Sequence, residues 1–172
     1  MTKYKIIIEY DGTDFVGWQK QENGPSIQSS IEDAIKKITS ETVSVFGAGR
    51  TDSGVHAKGQ VAHFEFSKNI PLDKIRDGIN QHLRPLPIAI LDVKEVNDDF
   101  HARFSAKLRT YEYLMINRRA PLTFNKNLAW GVFKKLNMDA MKEAASIFVG
   151  KHDFNAFRSI DCQSSSSIKT IQ

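Results

Sequence analysis

The chain has 172 residues, 24 Lys and Arg against 20 Asp and Glu, and 41% apolar residues. This describes a folded globular chain of one ordinary domain, or a domain and part of another, and excludes disordered, collagen-like and repeat sequences. A single cysteine, Cys162, rules out an internal disulfide or a cysteine zinc cluster and fits a reducing compartment, so a cytoplasmic protein is expected.

Tyr4 to Tyr10 is rich in β-branched residues and runs into the Asp11-Gly12 turn signal, which predicts a strand. Its apolar run, Ile6 to Ile8, is too short for a signal-peptide core or a membrane span, and no membrane association is expected. A helix follows, capped by Ser26, with Ile27, Ile31, Ala34, Ile35 and Ile38 at helical spacing. Val43 to Phe46 reads as a second strand, and Gln60 to Phe66 as a third with Ala62, Phe64 and Phe66 on one face. A second helix starts near Pro71, places Leu72, Ile75, Ile79 and Leu83 on one side and stops before Pro85; Ile88 to Val96 is a fourth strand.

The order β-α-β-β-α-β predicts an α+β fold: a ferredoxin-like unit over residues 1–104, its antiparallel sheet carrying two helices on one face. The open face of such a sheet is a common platform for RNA. The pattern restarts in 105–172, with a strand at Arg109 to Ile116 and a helix at Met138 to Val149, and reads as a second, related but incomplete unit. Only Ser164 to Ser167 is low in complexity. Charge is uneven: residues 1–100 hold 12 Lys and Arg against 15 Asp and Glu, whereas 101–172 hold 12 against 5, a net of +7 suited to a polyanion.

Between the second and third strands lies FGAGRTDSGVH, residues 46–56. Gly47-x-Gly49 follows a strand, but no third glycine or lysine falls at the spacing of a phosphate-binding loop and no helix pattern follows. Asp52-Ser53-Gly54 matches the D-[ST]-G of aspartic proteases, but that chemistry needs two such acids, and apolar residues usually stand where Arg50 and Thr51 are. His56 and His63, seven residues apart on a loop and a strand, fit no helix-borne metal spacing and read as hydrogen-bonded or solvated histidines. Taken alone, Asp52 reads as an Asx-turn, its carboxylate accepting the N–H groups of Ser53 and Gly54.

The longer string GAGRTDSGVHAKGQVAHF resembles the signature of the TruA family of pseudouridine synthases, which act on transfer RNA. YKIIIEYDGTDFVGWQKQ, PSIQSSIEDAI, DDFHARFSAKLRTYEYLMIN, KHDFNAFRS and CQSSSSIKTI are similar to that family in its order, so the resemblance covers nearly the whole chain. R-T-D-x-G-V-H and F-H-A-R-F-S-A are long, unusual strings that a ferredoxin-like fold does not require.

The resemblance implies isomerisation of uridine to pseudouridine at tRNA positions 38 to 40 in the anticodon stem-loop, with Asp52 as catalytic nucleophile. A carboxylate is ionised at neutral pH, adds readily and leaves readily. Bonding to the ribose, bonding to the base and removal of a sugar proton all remain open to it. The target base must leave its stack. Arg50, two residues before Asp52 and on the same side of an extended segment, is a candidate for contacting RNA, turning the base and holding the carboxylate.

Tyr111 matches the family's tyrosine that stacks on the target uracil, while Tyr113 and Phe104 read as core. An isomerisation needs no metal, nucleotide or redox cofactor, and none is expected. The resemblance also implies a homodimer in which each tRNA touches both subunits. It further implies a longer chain: family members continue with strands and a helix carrying a basic partner for the aspartate. A truncated protein of low activity is therefore expected. The alternative from another class is a non-catalytic tRNA-binding module.

Overall fold

The structure, a computed structural model, describes residues 1–158 and 166–172, so Cys162 and the Ser164–Ser165 half of the serine run lie outside the described residues. It contains two compact units, Met1–Glu112 and Tyr113–Gln172.

The first unit runs β1 (Thr2–Tyr10), α1 (Ile27–Thr39), β2 (Phe46–Gly47), β3 (Ala57–Phe66), α2 (Leu72–Leu83), β4 (Ile88–Val96). Its sheet has the order β2-β3-β1-β4 with every neighbouring pair antiparallel, so each β-α-β crossover straddles an intervening strand. This is the expected α+β arrangement. Tyr4, Ile6, Ile8 and Tyr10 alternate along β1 and are buried, opposite Phe64 and Ala62 on β3 and Val93, Ile90 and Ile88 on β4. The helices cover this face with Ile27, Ile31 and Ile35 of α1 and Ile75, Ile79 and Leu83 of α2, each at most 1% exposed. Burying one such side chain contributes about 1.5–3 kcal/mol.

Helix α1 begins at Ser26, whose Oγ accepts from the Ser29 N–H, and ends at Ser40, whose φ of 62° closes the helix with an N–H bond to Lys36 O. Two local expectations change. The strand read at Val43 to Phe46 shrinks to Phe46–Gly47, because the backbone of Val45 is taken by α1 side chains: its N–H donates to Glu32 Oε1 and its carbonyl accepts from Gln28 Nε2. Leu72 is 40% exposed: it stands in the first turn of α2, and its Cα–Cβ bond tilts toward the helix N-terminus, away from the turns that pack.

The opposite face of the sheet presents Lys3, Lys5 and Ile7 from β1 and Val61, His63 and Glu65 from β3. Part of it is covered: Phe46, Phe100 and His101 ring His63, which is 4% exposed and accepts from the Ala102 N–H at Nδ1. His63 is thus a buried, hydrogen-bonded histidine.

The second unit pairs β5 (Met115–Asn117) in parallel with β6 (Trp130–Val132), continues through α3 (Met138–Ser146), and pairs β7 (Gly150–Asp153) antiparallel with β8 (Ile168–Ile171), with a 3₁₀ turn at Asn155–Phe157. The strand expected over Arg109 to Ile116 forms only from Met115, because its partner is three residues long and the pairing begins with the Trp130 N–H bond to Leu114 O. Helix α3 ends at Ser146 rather than Val149. The N–H groups of Ile147, Phe148 and Val149 reach back only three residues, and Gly150 at φ 108° turns the chain away.

Candidate active site

Residues 48–56 connect β2 to β3 at the Tyr10 end of β1. The loop is tied at nearly every residue. Ala48 N–H donates to Val61 O at 2.7 Å, and Gly49 O accepts from Gln60 Nε2 at 2.8 Å. Thr51 O accepts from the Trp18 N–H at 2.9 Å, and Thr51 Oγ1 lies 2.9 Å from the hydroxyl of the buried Tyr10. Burial holds the Tyr10 phenol above its ordinary pKa, partly offset by that hydrogen bond. Beyond Asp52, Ser53 Oγ and the Gly54 N–H both donate to Phe15 O, and the Val55 N–H closes a turn onto Asp52 O at 3.2 Å.

Asp52 is therefore held by its main chain while its side chain is exposed. Among the described residues no hydrogen bond or ion pair reaches its carboxylate, so the Asx-turn does not form: the Gly54 N–H is taken by Phe15 instead. Arg50 is also exposed, and no ion pair among the described residues joins it to Asp52.

The segment after β1 shapes the other side of the loop. A side chain at Gly12 would put its Cβ 2.0 Å from Val55 O, and one at Gly17, whose φ is 116°, would lie 2.6 Å from Thr51 O. His56 Nδ1 stands 3.1 Å from the Gly12 N–H and 3.0 Å from Asp11 Oδ1. One nitrogen accepts from the first only when bare and donates to the second only when protonated, so the imidazole ties the loop to the turn after β1 in either form. The Asp11 carboxyl is kept below the usual carboxylate range chiefly by the Thr13 hydroxyl and backbone N–H. His56 is thus a hydrogen-bonded histidine, as its spacing from His63 suggested, whereas sequence reasoning gave Phe15, Trp18 and the Gln60 side chain no part in holding the loop; the only local signals were the glycines at 12 and 17.

A sequence model of the tRNA pseudouridine synthase family matches residues 6–105. The chain belongs to that family. The tRNA pseudouridine synthase A of Parvibaculum lavamentivorans is 53% identical over 99% of this chain and 70% of its own length. Those of Maricaulis maris and Rhodopseudomonas palustris are 52% and 54% identical over 99% of this chain and 69% and 70% of theirs. The family is one of isomerases, and its matched segment runs from the middle of β1 through the Asp52 loop to Ser105.

Tyr111 falls beyond that segment. It is 86% exposed in a stretch without strand pairing, which excludes core packing and leaves its direction to be set by something other than a sheet. Phe104 and Tyr113, expected in the core, are each 77% exposed: Phe104 sits on the rim of the His101 ring, and Tyr113 in the second unit meets the edge of Trp130. No helix among the described residues is long and apolar enough to cross a membrane.

Proposed function

We propose that this chain isomerises uridine to pseudouridine in tRNA, at positions 38 to 40 of the anticodon stem-loop, with Asp52 as the nucleophile. The observation that carries the assignment is the division of labour in the 48–56 loop. Main-chain bonds at Ala48, Gly49, Thr51, Asp52 and Gly54 hold the turn, and the Asp52 carboxylate is spared from that work and faces solvent. A rigidly carried group needs little reorganisation to meet a base that has been turned out of its stack.

In the reaction the N1–C1′ bond breaks, a C5–C1′ bond forms, and the proton lost from C5 is matched by one gained at N1, so composition and oxidation state are unchanged. The carboxylate serves as an adding and leaving group while the uracil turns over. Tyr111 offers a ring on which the turning base stacks, and Arg50 contacts RNA beside the vacated position. Two copies of the chain acting on each tRNA belong to the same reading. Sedimentation of the protein with and without tRNA should give a dimer, and a monomer in both states would remove that element.

Asp52→Asn keeps the shape of the side chain and removes its nucleophile. Conversion of uridine in tRNA should become undetectable, with fold and tRNA affinity nearly intact. Turnover within tenfold of the parent, about 1.4 kcal/mol of barrier, would overturn the assignment.

A further inference from the structure

We propose that Arg109 is a positioning residue that couples the Asp52 loop to the segment carrying Tyr111. Its Nη2 donates to Ala48 O at 2.8 Å and to Arg103 O at 3.3 Å. Ala48 is buried and fixed to β3 through its own N–H, so the first bond lands on a firm point four residues before Asp52. The second closes residues 103–109 into a turn. Tyr111 follows two residues later, a span of about 7 Å if extended.

The coupling matters because Tyr111 has no strand to hold it. On its own segment it is flanked by two side-chain ties, Arg109 before it and Glu112 after it. Glu112 pairs with Lys58, but both side chains are largely exposed, and such a pair is weak and screened by salt. Arg109 instead donates to a partly buried backbone carbonyl, a bond that salt screens less. A guanidinium suits this role because it is planar, always charged, and offers five N–H donors, so it serves two carbonyls at once while its remaining face stays in water.

This inference rests on the roles proposed above for Asp52 and Tyr111. Its test is a set of variants, Arg109→Ala, Arg109→Lys, Tyr111→Ala and the Arg109→Ala/Tyr111→Ala pair. Each is measured for single-turnover conversion of uridine in tRNA, for tRNA Kd and for melting temperature. Arg109→Ala should convert roughly 10- to 100-fold more slowly, the scale of a misplacement near 1 Å, with Kd within about threefold. Arg109→Lys should recover part of the rate, since an ammonium keeps the charge and the donors but lacks the planar, fixed geometry that aims Nη2 at both carbonyls. The double variant should lose little beyond Tyr111→Ala, because the two residues act as a unit.

Amide hydrogen exchange at residues 48–52 should quicken in Arg109→Ala, a readout that does not depend on turnover. A weakened Kd with an unchanged rate would make Arg109 a phosphate contact and overturn the proposal. So would rate losses that multiply in the double variant, or loop exchange unchanged in a folded Arg109→Ala. If Arg109→Ala does not fold, the same cycle is run with Arg109→Lys. Asp52→Asn in the same series reads the nucleophile assignment by itself: retained turnover there removes that role, whereas the Arg109–Tyr111 coupling is read from the cycle alone.

Discussion

His63 shows how a single side chain ties the fold to pH. Its ring is buried against Phe46, Phe100 and His101, with Lys3 and Glu65 as the charged groups nearby, and its Nδ1 accepts the Ala102 N–H. Desolvation, then the neighbouring His101 and Lys3, hold its pKa below the ordinary histidine value. The folded state thus resists a proton that the unfolded chain accepts. The full contribution to stability is present above the unfolded value, near 6.5, and is lost as pH falls below it toward the folded pKa. Protonation at Nδ1 would also cost the bond to Ala102. The melting temperature should drop between pH 7 and pH 5.5, and His63→Gln should flatten that dependence; equal slopes for the two proteins would place the sensitivity elsewhere.

At the level of the element, α2 separates periodicity from burial. Leu72, Ile75, Ile79 and Leu83 share a helical face, but Ile75 is fully buried and Leu72 is 40% exposed. Chemical denaturation should show Ile75→Ala costing about 2–5 kcal/mol, the transfer and cavity cost of a core isoleucine, and Leu72→Ala costing less than about 1 kcal/mol. Comparable losses at the two sites would mean that the first turn packs as tightly as the rest. Strand β2 carries the same lesson: two residues suffice to aim the loop, because Glu32 and Gln28 of α1 hold the preceding backbone in the place of a longer ladder.

For the whole molecule, charge sets the expectation for binding. Residues 101–172 carry 12 Lys and Arg against 5 Asp and Glu, and the acidic balance lies in the first hundred. A polyanion held by these cations releases counterions, so tRNA affinity should fall at least about tenfold between 50 and 200 mM salt, as for several phosphate contacts. A titration giving the same Kd at both concentrations would count against the basic segment as the tRNA-binding surface.

What the sequence determined by itself was the part governed by local period. β-Branched content along Tyr4–Tyr10, with the Asp11-Gly12 turn signal after it, and the 3.6-residue spacing through Ile27–Ile35 and Ile75–Leu83 were enough to order β-α-β-β-α-β and to put Asp52 in the connection between β2 and β3. The tertiary structure decided everything that depends on pairing across the chain. Whether 109–114 became a strand depended on a partner only three residues long, and whether His63 was buried depended on the Phe100–Ala102 backbone folding over it. Whether the Asp52 carboxylate was consumed by its own turn depended on Phe15, 39 positions before Gly54, taking that glycine's N–H. Such bonds leave no periodic trace in sequence, because their geometry comes from how separate elements pack rather than from neighbouring residues.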